Sequence, residues 1–489
     1  MVTDSIKEKL KSIYKSNTDK VGVGFGFKIK DGQLTNEKSF TLIVREKKPL
    51  SSLSSSEIFP KEITVDGVTY PTDVVAFGET EPYAFYCAGP NPDLSPTCWN
   101  WTTTPPPNRN YLRPLRGGIS LGPSNVGGSG TLGLIAVDGE TGCYVGLTNN
   151  HVVINDPFYT GDRQLNGGIS NVTYPSGIGS AINAYQPGLG DPFVGVNFDR
   201  SFGVVLRYIP VFSNSFPVDG INVSDAAIVS IDQFDAQGNP TISTSGPNAS
   251  WRQLGLSSIT APQPFATNLE INSLTPSDSI ISAGRTSGGK EGVCSLRIHL
   301  LSVIYEYSQA MQGLQTPIIY QDLMSFARYS PTGEICAFPG FKGDSGSAMF
   351  AQFGGTWKVI GLIQAGSYNK QPIVSPNTTW YNTNTISLAN YPPYIGYNSS
   401  GVFDMVGFTP AVIGGPYSWP YMFGCKITNI ASQLNIQAWD GTPKCYIDPN
   451  PHTVTACGKS FDPTVVCSGD TYWQVGLTND PSLLNPCTP

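Results

Sequence analysis

Short runs in which hydrophobic and polar residues alternate dominate the chain, and glycine, proline, asparagine and serine separate them. Val21 to Lys30 alternates in this way, Asp31-Gly32 supplies a turn, and Ser39 to Val44 forms a second run. The same pattern repeats from Gly130 to about Gly415, with no series in which strands and helices take turns. Apolar residues recur at helical spacing in residues 1–14. The pattern predicts a mainly β chain with one short amphipathic helix at its start.

Composition extends this picture and excludes several classes of function. The chain has 489 residues, more than one hydrophobic core usually holds, so we expect several domains. Only 13% of its residues are charged, the net charge is −7, and 53 glycines and 40 prolines indicate many loops. Without a basic cluster, binding to nucleic acid or to an anionic membrane has no electrostatic support. No apolar run reaches 18 residues, so we expect no membrane span, and the start lacks the apolar core of a signal peptide.

A candidate nucleophile stands in the stretch Phe341 to Phe350, which contains Gly-Asp-Ser-Gly-Ser at residues 343–347. Ser345 lies between glycines and follows an aspartate, a pattern typical of a nucleophile loop. A serine hydroxyl is a weak nucleophile at neutral pH. It therefore needs an imidazole within hydrogen-bond reach and a third group that orients the imidazole.

Three histidines are available for the role of base. His299 lies in an alternating run that predicts a packed or surface strand residue, and His452 lies among C-terminal cysteines and prolines. His151 differs from both, because it follows an apolar run that gives way to Asn149-Asn150 just before the imidazole. We therefore predict that His151 is the base.

The orienting carboxylate is sought between His151 and Ser345, where Asp191, Asp199 and Asp225 are the candidates. Asp225 begins a run of small and apolar residues, which suits a carboxylate at the start of a buried strand. Asp199 precedes an arginine and is interpreted as an exposed loop residue, although it remains the main rival. Asp191 precedes a proline and is interpreted as a turn residue. The prediction is the order His151, Asp225, Ser345.

These motifs together resemble the trypsin-like, chymotrypsin-fold serine peptidases, which place their triad in this order. Ile360 to Ser367 resembles the family's strand that pairs with the substrate backbone. Gly284 to Gly288 reads Gly-Arg-Thr-Ser-Gly, which resembles a Gly-Arg-Thr-Thr-Gly pattern of bacterial members and their plant relatives. The resemblance covers roughly residues 20–370. It implies two six-stranded barrels, with His151 and Asp225 in the first and Ser345 in the second.

The resemblance also implies the residues around the triad. The backbone N–H groups of Gly343 and Ser345 would form the oxyanion hole. Pro339 would lie near the base of the primary pocket, where no acidic residue indicates a preference for arginine or lysine, so apolar or medium-sized side chains are favoured. Gln364, Ala365 and Gly366 would line the opposite wall, with Gln364 standing where the family usually has serine. No Ile-Val-Gly-Gly start is present, so the loop is expected to be competent without cleavage, with cleavage after Arg116 as the alternative. No metal or organic cofactor is required.

The chain is expected to divide into four parts. These are a small α+β N-terminal domain (1–81), a cysteine- and proline-rich linker (82–115), a trypsin-like double β-barrel (116–414) and a cysteine-rich β module (415–489). Cys87 and Cys98 predict a disulfide loop in the linker. The last part holds five cysteines, Cys425, Cys445, Cys457, Cys467 and Cys487. Because five cannot pair among themselves, one is free, bridges to another part of the chain or binds a metal, and the spacing favours disulfides over zinc.

The function that the resemblance implies is a serine endopeptidase with a protein or peptide substrate. The alternative of another class is a structural or adhesive protein, extracellular or part of a particle, built on a retained peptidase scaffold with little or no activity. An esterase on the same scaffold is a third reading. Cysteine usage predicts an extracellular or particle-associated protein without a recognisable signal peptide, and assembly as a homo-oligomer or particle stays open.

Overall fold

A computed structural model of the protein describes residues 1–16, 20–31, 33–45, 47–55, 57–77, 79–82, 85–86, 107–124, 128–154, 182–189, 191, 199–209, 222–291, 296–307, 318–329, 335–337, 343–368, 396–397, 403–404, 421–448, 453–456 and 459–461. The α-helices are α1 (Asp4–Ser16), α2 (Asn150–Val153), α3 (Asn268–Ser273) and α4 (Ile427–Leu434). Strands of the N-terminal part are β1 (Lys20–Lys30), β2 (Gln33–Val44), β3 (Glu62–Val65), β4 (Val68–Ala76), β5 (Glu79–Pro82) and β6 (Phe85–Tyr86). The chain is mainly β, as predicted, and α1 is the helix expected at its start.

The middle of the chain supplies most of the strands. The next group is β7 (Ile119–Pro123), β8 (Gly128–Leu132), β9 (Leu134–Asp138), β10 (Tyr144–Thr148), β11 (Asn183–Tyr185), β12 (Ser201–Tyr208) and β13 (Ala227–Ser230). It is followed by β14 (Ile280–Gly284), β15 (Gly288–Lys290), β16 (Leu296–Tyr307), β17 (Ile318–Tyr329), β18 (Ile335–Ala337), β19 (Ala348–Phe353) and β20 (Thr356–Tyr368). The last group is β21 (Gly396–Tyr397), β22 (Phe403–Asp404), β23 (Met422–Lys426), β24 (Ile436–Ala438), β25 (Tyr446–Asp448), β26 (Thr453–Ala456) and β27 (Lys459–Phe461).

A first barrel is built from the strands between β7 and β13. The pairing order is β9-β10-β13-β12-β11-β7-β8, and only Gly133 separates β8 from β9. If β8 and β9 are counted as one bent strand, six strands form a closed ring. Buried aliphatic side chains such as Leu132, Val137 and Val229 fill it. Closure removes the exposed edges that an open sheet would leave.

The second barrel also closes with six strands. They pair in the order β14-β19-β20-β23-β17-β16, and a pairing of Ile280 with Leu296 joins β16 back to β14. Leu300, Phe326, Met349 and Leu362 are among its fully buried residues. The two six-stranded barrels implied by the resemblance are therefore present in the strand pairings themselves.

The terminal parts of the chain join these barrels through strand pairing. In the N-terminal part, β1 pairs with β16 and extends the sheet of the second barrel through β2, β4 and β3. At the other end, β23 completes the second barrel, so the barrel region continues past the expected limit at residue 414. After α4, β24 pairs with β9, and a disulfide joins Cys445 to Cys143 of the first barrel. The division into four domains remains a prediction.

Among the helices described, none is both long and apolar enough to cross a membrane.

Candidate active site

His151 reaches Asp225 because two neighbouring strands of the first barrel end and begin at the same place. Thr148 at the end of β10 pairs with Ala227 at the start of β13. The chain turns into α2 just after β10, and Asp225 lies two residues before the start of β13. The His151 Nδ1 atom lies 2.5 Å from Asp225 Oδ2, and the His151 backbone N–H donates to Asp225 Oδ1 at 3.2 Å. One carboxylate thus fixes both the ring and the backbone of the histidine.

Ser345 lies in a tight turn just before β19 of the second barrel. Gly343 and Gly346 on either side have φ angles of 97° and 88°, in the left-handed region that favours glycine. A side chain at Gly343 would also meet Thr286 Oγ1 at 2.4 Å. On the first barrel, the Thr131 N–H donates to Ser345 O and the Thr131 hydroxyl donates to Gly343 O, each at 2.8 Å. The turn is therefore held against β8 from the other barrel.

A close approach at Gly130 brings the two halves of the candidate site together. A β-carbon at this position would lie 2.4 Å from a methyl group of Val152 and 3.0 Å from Ser345 O. Val152 is next to His151 in the chain. Gly130 of β8 therefore lies close both to the turn that carries His151 and to the turn that carries Ser345. The Ser345 hydroxyl donates a hydrogen bond to Gln364 O at 3.0 Å. The turn that carries His151 and the turn that carries Ser345 therefore lie against the same strand, β8.

The backbone around Ser345 is shaped by Asp344. Its carboxylate accepts hydrogen bonds from the N–H groups of Thr286 and Ser287, at 3.1 and 2.9 Å, and from the Ser287 hydroxyl at 2.6 Å. These partners lie in the motif 284–288 noted in the sequence. The N–H groups of Gly343 and Ser345 donate to no residue that the structure describes. The turn at residues 284–288 thus holds the loop that carries Ser345 in place.

Cys425 of β23 is a component that sequence reasoning missed. Its sulfur accepts a hydrogen bond from the Asp225 N–H at 3.3 Å and donates one to Gln364 Oε1 at 3.2 Å. The thiol is free and buried, and burial, with a contribution from Asp225, raises its pKa. The thiol therefore connects the backbone of Asp225 with Gln364 of β20. The sequence carried no signal for this contact, because 200 residues separate the partners.

The rival carboxylates have other surroundings. Asp191 is buried and forms ion pairs with Arg109 and Arg285, and it also accepts a hydrogen bond from Ser120. Burial opposes its ionisation, but the two guanidinium groups outweigh that effect and hold its pKa below the ordinary value. Asp199 is exposed and accepts a hydrogen bond from the Ser201 N–H. Neither is placed beside His151 by any contact in the part of the chain described.

Some of the remaining predicted residues lie in segments that the structure describes, and others do not. Gln364, Ala365 and Gly366 lie in β20, and all three are buried. His299 is a packed residue of β16, where its ring stacks on Tyr421 and burial lowers its pKa to about 3. Pro339, His452 and the Cys87–Cys98 loop lie outside the described residues. Of the five C-terminal cysteines, Cys445 bridges to another part of the chain and Cys425 carries a free thiol.

Comparison with known proteins finds distant structural likeness only. No family model and no curated protein matches the sequence. Among solved structures, Thermobifida fusca protease A is 10% identical, with a TM-score of 0.31 over 67% of this chain and 98% of that one. A glutamic-acid-specific serine protease described as using a histidine triad in substrate binding is 13% identical, with a TM-score of 0.30 over 66% and 100%. Cellulomonas bogoriensis chymotrypsin is 12% identical, with a TM-score of 0.28 over 67% and 98%.

Proposed function

We propose that the protein is a serine endopeptidase that hydrolyses peptide bonds through Ser345, His151 and Asp225. The observation that carries the proposal is the 2.5 Å contact between His151 Nδ1 and Asp225 Oδ2. The turn that carries Ser345, from the second barrel, lies against β8 of the first barrel. An aspartate at Nδ1 leaves Nε2 as the atom that accepts a proton. The geometry supports this role for Asp225 and not for Asp191 or Asp199.

The mechanism follows from these positions. The Ser345 hydroxyl turns from Gln364 O toward His151 Nε2, attacks the scissile carbonyl and gives its proton to the imidazole. Asp225 holds the tautomer and stabilises the imidazolium. The imidazolium then protonates the leaving amine as the peptide C–N bond breaks, which leaves an acyl-enzyme on Ser345. Water, deprotonated by His151, hydrolyses that ester and restores the serine.

The two N–H donors of Gly343 and Ser345 support an oxyanion hole. A tetrahedral intermediate places negative charge on the former carbonyl oxygen, and preorganised backbone donors stabilise that charge. The loss of one such donor typically costs about 3 to 4 kcal/mol of activation free energy. The hydrogen bonds from Thr286 and Ser287 to Asp344 keep the backbone in the required shape.

The substrate would be a protein or peptide that adds a strand to β20 beside Gln364, Ala365 and Gly366. The primary pocket, with Pro339 near its base, would accept apolar or medium-sized side chains. The Cys143–Cys445 disulfide supports an extracellular or particle-associated protein, because such bonds persist in oxidising environments.

A second candidate function is a scaffold that retains the triad without using it. The burial of the site favours this candidate, because Ser345 is 0% and His151 1% exposed, so no substrate reaches them in this conformation. A structural or adhesive protein on a retired peptidase scaffold would show the same burial.

Labelling by a fluorophosphonate probe separates the two candidates. We expect the probe to label the folded protein covalently, and we expect Ser345→Ala and His151→Ala each to abolish labelling. Two matched variants should label at a rate within about threefold of wild type. They are Ser347→Ala in the same loop and His299→Phe at another buried imidazole. Self-cleavage on storage that Ser345→Ala prevents would be a second positive result. The scaffold is the better conclusion if the folded protein stays unlabelled and a variant whose site is open to the probe also stays unlabelled.

A further inference from the structure

One edge of β20 offers a place for an added strand right beside Ser345. β19 pairs with this edge from Thr356 to Leu362, and hydrogen bonds of Gly346 and Ser347 with Ile363 continue the contact. The chain then leaves the edge at the nucleophile turn. β23 occupies the opposite edge through Gly366. Among the described strands, β23 pairs with Ala365 and Gly366 on the opposite edge, so an added strand would pair with them on the nucleophile side.

The chain's own β5 fills that place. Its four residues pair antiparallel with β20 in the register Pro82 opposite Ala365, Glu81 opposite Gly366, Thr80 opposite Ser367 and Glu79 opposite Tyr368. Residue numbers in β5 rise toward Gln364, whose carbonyl accepts the Ser345 hydroxyl. The segment thus approaches the nucleophile in the direction that the acyl half of a substrate would take.

Contacts upstream fix β5 in position. Phe77 is fully buried, its N–H donates to Val44 O at 3.1 Å, and its ring stacks on Tyr421 with 3.8 Å between centroids. Farther back, β1 pairs with β16 of the second barrel. The strand is tethered at a packed aromatic residue two positions before it begins, so its effective concentration at the β20 edge is high.

We propose that Glu79–Pro82 occupies the substrate strand position and makes the N-terminal part a built-in competitor of substrate. The proposal rests on the proposed function. A peptide substrate has to displace β5 before it can pair with Ala365 and Gly366. With an effective concentration in the millimolar range for a short tether, we expect β5 to slow reaction at Ser345 by about tenfold or more.

The test replaces Glu79–Pro82 with four glycines, which weakens strand pairing without adding a new side chain. Replacing the exposed turn Thr244–Pro247 with four glycines is the matched control, and Thr80→Pro is a second variant in case the first folds poorly. Two readouts are needed: the rate of fluorophosphonate labelling at Ser345, and hydrogen–deuterium exchange of the amides at residues 365–368. We expect labelling at least about tenfold faster and faster exchange in the strand variants, with the control equal to wild type.

The two readouts distinguish failure of this inference from failure of the proposed function. Equal labelling rates in wild type and strand variants, or unchanged exchange at residues 365–368, would overturn the inference. Faster exchange without labelling of any folded variant would support the strand position but remove the peptidase assignment.

Discussion

Asp225 and Asp191 are both buried carboxylates, and their surroundings are opposite in kind. Asp225 has no permanent charge among these neighbours: an imidazole ring, the Asn149 amide, which donates to its backbone oxygen, and the Cys425 thiol. Asp191 lies between the guanidinium groups of Arg109 and Arg285. One carboxylate faces a group that can gain or lose a proton, and the other faces charges that are permanent.

The difference indicates separate roles. Permanent cations neutralise Asp191 at all times, so it can join distant segments but has little charge to offer a reaction. Arg285 carries that link to the turn that braces Asp344. Asp225 has no permanent counter-charge among these neighbours, so it can stabilise an imidazolium that forms during catalysis. We therefore expect Asp225 to control activity and Asp191 to control stability.

The largest effect is expected from Asp225→Asn. Because asparagine favours the wrong imidazole tautomer, kcat/KM should fall by about 10⁴-fold. The free energy of unfolding should change by less than about 1.5 kcal/mol, since asparagine keeps the shape and no permanent charge lies among the neighbours named above. Peptide hydrolysis and urea denaturation measure the two quantities, both in the variant in which glycines replace Glu79–Pro82. A variant that retains activity within tenfold would contradict the role given to Asp225.

Asp191→Asn should have the next largest effect, which is a loss of free energy of unfolding. The change leaves two buried guanidinium groups without their anion, which typically costs about 3 to 5 kcal/mol. Urea denaturation at neutral pH measures this loss. Asp199→Asn is the matched control, because Asp199 is exposed, and it should change the unfolding free energy by less than about 0.5 kcal/mol.

Low pH should weaken the same interaction. The pKa of Asp191 is lowered from the ordinary 3.8, so its stabilising contribution is fully present above that pH and is lost as the pH falls through the lower folded-state value. The stability gap between wild type and Asp191→Asn should therefore stay constant from pH 5 to 8 and shrink below about pH 3.8. A gap that shrinks near neutral pH would point to another group.

The sequence allowed a prediction where the neighbouring residues carry the signal, and the roles of Ser345, His151 and Asp225 remain predictions. Ser345 stands in a turn with left-handed glycines, His151 follows an apolar strand, and Asp225 lies just before another, so each carried a signal in its own neighbours. The mainly β class followed from the alternation of β1 and β2 in the same way. These features depend on short-range geometry that a few adjacent residues determine.

What could not be predicted depends on contacts between distant segments. Asp191 resembled a turn residue because its arginine partners lie 82 and 94 positions away. β23 was placed in a C-terminal module because the cysteines around it suggested a separate unit, whereas its apolar residues complete a barrel. Nothing in Glu79–Pro82 itself indicated pairing with β20. The partners of such residues are determined by tertiary contacts and not by the local sequence pattern.

The smallest effect is expected at Cys425, and it tests how far the surroundings of Asp225 matter. Cys425→Ser keeps an acceptor for the Asp225 N–H and a donor for Gln364, whereas Cys425→Val keeps a similar volume without either. Loss of one modest hydrogen bond is worth about 0.5 to 1.5 kcal/mol. We therefore expect kcat/KM to fall by about 2- to 10-fold in the valine variant and to remain near wild type in the serine variant, with the pH dependence of kcat/KM shifted only in the former. Equal losses in both variants would mean that the thiol contributes packing alone, and Asp225 would then be positioned by His151 and Asn149 without help from β23.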